Sequence, residues 1–189
     1  MMHVSRDTAP RAEVFDNQAL AHHLRIDLSD SVHLVEARAM ASAAVAELEE
    51  HASIAMITQK IRLTLDAWPE NNVIILPVGP VPPFSYVTMT VDGEPFNRFS
   101  LYAGPRGSLR LYGQRPETAL IESGPAEGLV IEYEPGFGNA AHNVPDDLRL
   151  AVLDQAAAFF DVRGAGDGKT QHLSPHAARI AARYRRVAL

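Results

Sequence analysis

The spacing of apolar and polar residues changes character along this chain. Between positions 57 and 66, Ile57, Gln59, Ile61, Leu63 and Leu65 alternate with Thr58, Lys60, Arg62, Thr64 and Asp66, and Trp68-Pro69 closes the run. That two-residue period predicts a half-buried strand. The segments on both sides repeat at helical spacing, so the pattern predicts a helical body with a sheet inserted in it.

On the N-terminal side, the first fifteen residues lack periodicity and read as a loose arm. Asp16 or Asn17 is placed to cap a short helix to about Arg25, and Ser29 or Asp30 a longer one to about Glu50. In the longer helix Val32, Val35, Met40, Ala43, Ala44 and Leu48 form an irregular apolar face, and its many alanines permit close approach of another helix from its own subunit or a neighbouring copy. After Trp68-Pro69, short strands are expected at Val73 to Leu76, Phe84 to Val91, Phe99 to Tyr102, Ser108 to Tyr112 and Leu129 to Tyr133. Asp92-Gly93 is a hairpin turn signal, and Gly104 to Gly107 lies between two strands that read as another hairpin. Pro145 opens a helix with Asp146 and Asp147 at its positive end and Leu148, Val152, Ala156 and Phe159 on one face. Ser174-Pro175 starts a last helix, in which Ile180, Tyr184 and Val187 form one stripe and Arg179, Arg183 and Arg186 a second.

The expected class is therefore α+β: two N-terminal and two C-terminal helices around a small β-lobe of five or six short strands. The divisions read as an arm over 1–15, helices over 16–56, the lobe over 57–138, a third helix and loop over 139–174, and a terminal helix over 175–189. A chain of 189 residues, 47% hydrophobic and 21% charged, suits one globular domain with an insertion. No apolar run is long enough to cross a bilayer and the N-terminus has no apolar leader region, so neither secretion nor membrane insertion is expected. The absence of cysteine excludes disulfides and thiolate metal sites.

The net charge of −6 argues against a protein that coats nucleic acid. It is unevenly spread: residues 1–56 carry nine acids and four bases, whereas 171–189 carry four arginines and no acid. A basic end on an acidic body suits docking to an acidic partner, although arginines also favour a helix C-terminus through its dipole.

Catalytic signals are weak. Gly164 to Thr170 ends in Gly-Lys-Thr, but Arg163 stands where a phosphate loop needs its first glycine, and a helix rather than a strand precedes it. His172 and His176 are four apart, yet Ser174-Pro175 starts a helix between them. His22, His23, His33 and His51 have no acid beside them in a ligand pattern, and adjacent Asp146 and Asp147 point apart on a helix. Gly136-Phe137-Gly138 lacks the third glycine of a dinucleotide fingerprint, and no nucleophile elbow is present. No catalytic residue, cofactor or metal site is expected.

Taken in order, several segments resemble the head-tail connector, or adaptor, proteins of long-tailed bacteriophages and phage-like gene transfer agents, with the gene transfer agent adaptor the nearer likeness. These are His23-Leu24-Arg25-Ile26, the alanine-rich helix, Ile57 to Gln59 running to Leu65-Asp66-Ala67-Trp68-Pro69, Ile75-Leu76-Pro77, Ile131 to Gly138, Val144-Pro145, Phe159-Phe160 and Tyr184-Arg185-Arg186-Val187. The resemblance spans about residues 16 to 189. Many relatives carry Tyr in place of Phe137 and a Trp-Tyr or similar pair near Phe159-Phe160, and the loop 164–170 lies outside the pattern.

The resemblance implies a structural particle protein, assembled in the bacterial cytoplasm into a ring of about a dozen copies. The ring would sit beneath the portal protein, offer a platform to the next neck or tail protein (a stopper), and continue a channel for double-stranded DNA. Portal docking is then expected at Arg179, Ile180, Arg183, Tyr184, Arg185, Arg186, Val187 and Leu189, and removal of 175–189 is expected to leave a folded subunit that no longer binds portal. Rival readings are a tail-side neck protein (stopper or tail terminator), a nucleotide hydrolase using Lys169, and a DNA-binding packaging subunit using the N-terminal helices.

Overall fold

The computed structural model describes residues 2–6, 12–113, 128–162 and 172–185. The chain forms two compact units, one of strands from residues 1–11 and 58–136, the other helical from 12–57 and 137–189. The mixed α+β class expected from the sequence holds.

The sheet unit contains, among the described residues, β1 (Met2–Arg6), β2 (Ile61–Leu65), β3 (Val73–Ile75), β4 (Val87–Val91), β5 (Glu94–Pro95), β6 (Phe99–Tyr102), β7 (Ser108–Leu111) and β8 (Leu129–Tyr133). A five-stranded sheet runs β1-β2-β8-β4-β5 and a three-stranded one β3-β7-β6, every pairing antiparallel. The strand count exceeds the five or six expected. The arm expected over 1–15 instead supplies β1, whose Met2 to Arg6 pair with Leu65 to Ile61. Its tie is polar as well as ladder-like, since Arg6 Nη1 donates to Gln59 Oε1 at 3.1 Å. Asp92 and Gly93 both take positive φ, 51° and 84°, as a two-residue hairpin requires, and they join β4 to β5.

The alternation read in β2 is real: Ile61 and Leu63 are buried and Arg62 is exposed. Beyond it, Trp68 is buried, meets Phe96 edge-on, and donates from Nε1 to Asn72 Oδ1 at 2.8 Å. At the other end of the sheet core, Tyr133 is fully buried. Its hydroxyl accepts from Val78 N–H at 3.0 Å and donates to Val78 C=O at 3.2 Å, so one phenol satisfies both backbone polar groups of a residue in the proline-rich connection.

The helical unit contains α1 (Asn17–Leu24), α2 (Ser31–Ala52), α3 (Asp146–Asp161) and α4 (Pro175–Tyr184), with a 3₁₀ turn at Ala141–Asn143. Asp16 caps α1 by accepting from Ala19 N–H, Asp30 caps α2 through His33 N–H, and Ser174 caps α4 through Ala177 N–H. α2 ends at Ser53 in the left-handed conformation, and the inward-turned Glu49 carboxylate accepts from Met56 N–H at 2.6 Å.

The face of α2 matches the one expected at Ala44 and Leu48 and differs from it at Val32, Val35 and Ala43. Its buried apolar positions are Ala37, Ala41, Ala44, Leu48 and Ala52, all but closed to solvent, whereas Val32 and Val35 are 75% and 69% exposed and Ala43 is exposed. Residues 37, 41, 44, 48 and 52 fall on one side of a 3.6-residue helix and 32, 35 and 43 on the other. Close approach to α3, whose Leu148, Ala151, Val152 and Ala156 are fully buried, selects the small residues for the inside.

Two stability predictions follow from these environments. Ala44→Leu is expected to cost about 1–3 kcal/mol by overpacking the seam, while Val35→Ala is expected to stay within about 0.5 kcal/mol of the parent; urea titrations of both variants check the assignment of faces. Tyr133→Phe is expected to cost about 1–3 kcal/mol, because it strands the buried Val78 N–H, and thermal denaturation measures it.

Candidate functional site

The basic end of the chain is the feature with most capacity for recognition, and the fold divides its residues into an inner and an outer set. α4 starts where Ser174 N–H donates to Gln155 Oε1 at 2.7 Å; Gln155 is fully buried on α3 and donates in turn from Nε2 to Glu47 Oε2 on α2 at 3.3 Å. One amide thus links α2, α3 and the cap of α4. Pro175 fills the first helical position, where a missing N–H costs nothing. Ala177, Ile180 and Ala181 then turn into the core of the helical unit.

Of the residues expected to dock a partner, Ile180 is only 3% exposed and is held within its own unit. Tyr184 is half-buried: its ring stands edge-on to Phe137 at 6.0 Å and its hydroxyl donates to Asp147 Oδ1 at 2.7 Å. Burial, then the bond to Asp147 and that carboxylate's charge, pushes the Tyr184 phenol up to about 12. Arg179, Arg183 and Arg185 are exposed. Arg183 Nη1 lies 3.6 Å from Asp147 Oδ2, a long pairing in water, and Arg185 leaves the helix in an extended conformation. Arg186, Val187 and Leu189 lie outside the described residues, as does Lys169 with its loop.

The apolar stripe and the arginine stripe therefore serve different ends. Ile180 sits in the core of the helical unit and Tyr184 bonds to Asp147 of α3, and Arg179 and Arg183 of α4, with Arg185 just past its end, are left outward. Removal of 175–189 would take Ala177, Ile180 and Ala181 out of the core, so the expectation that such a truncation leaves a folded subunit is not supported by the packing.

Asp147 does more than complement the helix dipole, the role read from its position: it accepts from its neighbour Leu148 N–H at 2.9 Å as well as holding Tyr184. Histidine placement also departs from the sequence reading. His23 on α1 and His176 on α4 both reach Asp154 on α3, with His23 Nε2 3.0 Å from Asp154 Oδ1 and His176 Nδ1 against Oδ2. The sequence offered no signal for this, because the three residues lie on three helices far apart in the chain. Among the described residues no group of three or more His, Asp or Glu is placed to hold a metal ion, and no helix is long and apolar enough to cross a membrane.

The class defined by this geometry is a mixed α+β chain of one helical unit and one unit of antiparallel sheets. Solved structures share it. A chain from the virion of a native gene transfer agent particle is similar with a TM-score of 0.76 at 24% identity, over 98% of this chain and 96% of that one. A chain from the neck of an empty gene transfer agent particle, computed with C6 symmetry, gives 0.74 at 23% identity over 99% and 97%. One from the neck of a native particle, computed with C12 symmetry, gives 0.70 at 23% over the same shares. No family model matches the chain, and no curated protein does. At these identities the likeness shows a common fold, the fold that the resemblance in sequence implied.

The phenol supplies a direct check on the fastening of α4. Its ionisation is opposed by the fold, so the stabilisation it gives is fully present below its ordinary value of 10.0 and is lost as pH rises through about 12. Tyr184→Phe is therefore expected to flatten the alkaline limb of the stability profile across that window, as read by denaturant midpoints at stepped pH.

Proposed function

We propose that this chain is a non-catalytic structural subunit of the neck of a phage-like particle, acting as the head-tail connector, or adaptor, between the portal and the next neck protein. About twelve copies form a ring, a number supported by the C12 symmetry with which a neck containing a chain of similar fold was computed. The observation that carries the reading is the fold likeness over nearly the whole length of chains from gene transfer agent particles and necks. The arginines of α4 support it, since the core fixes the helix and leaves Arg179, Arg183 and Arg185 exposed as a preformed cationic surface for an acidic groove on the portal. Arg186, Val187 and Leu189, next in the chain, extend the same docking segment.

The charge of −6 per subunit fits a ring through which double-stranded DNA passes without sticking, because a dozen such copies repel phosphate. No cofactor is required by this role. The stopper side of the ring would be met by a different surface from the one that meets the portal, as a neck built in series requires.

The docking role predicts that Arg179→Ala, Arg183→Ala and Arg185→Ala together leave the thermal midpoint within a few degrees of the parent. Co-purification with portal is expected to weaken by at least about tenfold, and the residual binding to lose its salt dependence. Undiminished capture of the triple variant by portal would remove α4 from the interface. Capture by a tail-side protein in place of portal would favour the stopper reading.

A further inference from the structure

The two sheets of the strand unit treat their cations differently. Lys60, just before β2, and Arg62 within it both pair with Glu132 of β8, at 2.6 and 2.8 Å, so one acid answers both cations of the five-stranded sheet. The three-stranded sheet has no acid of its own to do the same. Residues 96–113, which carry β6 and β7, hold Arg98, Arg106 and Arg110 and no Asp or Glu, and β3 adds none. In a chain of net charge −6 this is a local reversal of sign.

The strand register puts these cations on the open face. Ile74, Leu109 and Leu111 are buried, so their neighbours in the two-residue period point outward. Val73, Arg110 and Ser100 make one outward row across the three strands, and Ile75, Ser108 and Tyr102 make the next. Tyr112, whose N–H donates to Arg98 C=O at 2.7 Å, forms a third row with Arg98. Arg98, Arg110, Tyr102 and Tyr112 are all exposed, as is Arg106 in the turn that joins β6 to β7. The hydroxyls converge as well: those of Ser100 and Tyr102 bond to the Tyr112 phenol and, with the charge of Arg110 nearby, hold it below its ordinary 10.0. A phenol that accepts two such bonds keeps its own proton to give outward.

We infer that the outer face of the three-stranded sheet, through Arg98, Arg110, Tyr102 and Tyr112 with Arg106 at its edge, is the surface of this subunit that meets the phosphate backbone of duplex DNA. Arginine, tyrosine and serine are side chains that bond to phosphate oxygens and fix position without reading sequence. A phosphate backbone repeats its charge at every nucleotide, so arginines in successive rows and in the turn can each meet an anion. The inference rests on the neck reading for its choice of ligand and assigns that ligand a surface. Because the rest of the subunit is acidic, each contact is weak and salt-sensitive, which suits DNA that has to move past it.

The test is an anisotropy titration of the full chain against a fluorescent duplex of about 20 base pairs, repeated between about 50 and 200 mM salt. Three arginines predict a slope of log K against log salt of about −2 to −3. Arg98→Ala with Arg110→Ala is expected to weaken binding at least about tenfold and to reduce the slope by about 2, with the circular dichroism spectrum unchanged. Lys60→Ala with Arg62→Ala removes the same charge from the other sheet and is expected to leave the slope as it was. Four results would overturn the face: a parent chain that does not bind duplex, equal losses in the two double variants, displacement of the duplex by polyglutamate at equal charge, or tighter binding to a single strand than to the duplex. The third would show a surface for acidic protein and the fourth one for stacked bases. Incorporation into particles is scored separately: a subunit that enters necks but fails the titration loses only this surface, and one that binds duplex here but never enters particles loses the neck reading.

Discussion

The seam between α2 and α3 is the constraint from which the rest of the helical unit follows. Ala37, Ala41 and Ala44 of α2 and Ala151 and Ala156 of α3 are closed to solvent, and side chains this small gain little each by burial. What they provide is proximity, letting Leu48, Leu148 and Val152 interdigitate at high density. That choice has an external cost: with alanine turned inward, the valines of the first two turns of α2 face out. The exposure of Val32 and Val35 is thus the counterpart of the close seam.

α3 is the shared support for everything that α4 does. Gln155 receives its cap, Asp154 meets His176 and, on the other side, His23 of α1, and Asp147 holds Tyr184. These anchors run along the length of α4 from its first residue to its last. Partly exposed pairs of this kind contribute modestly one by one, and their main effect is to fix the helix in one rotation. The rotation decides which residues can meet a partner, and it assigns Ile180 to the interior and the arginines to the outside. Fixing the helix in advance removes the backbone part of the ordering cost for any contact its exposed side chains make.

Much of this architecture was legible in the residues. Caps at Asp16, Asp30 and Ser174, the Asp92-Gly93 hairpin and the alternation from Ile61 to Leu65 each follow from local chemistry, and local chemistry is readable one window at a time. What escaped depends on partners distant in sequence. Met2 to Arg6 carries too short an alternation to announce a strand, and becomes one because β2 offers an open edge. Val32 and Val35 look like core by hydrophobicity alone; only the demand of α3 for small neighbours turns them out. At the site, the arginine stripe was visible from spacing, but the division between Ile180 as core and Arg179 as surface required the tertiary packing. The convergence of His23 and His176 on Asp154 had no local trace at all.

The most direct measurement of the central claim is a reconstruction of a particle neck containing this chain. The account predicts a ring of these subunits next to the portal, with Arg179, Arg183 and Arg185 within ion-pair distance of portal carboxylates and Ile180 still packed against α3. A neck in which α4 has left its own helical unit to insert Ile180 into portal, or in which the three arginines touch no other protein, would contradict it.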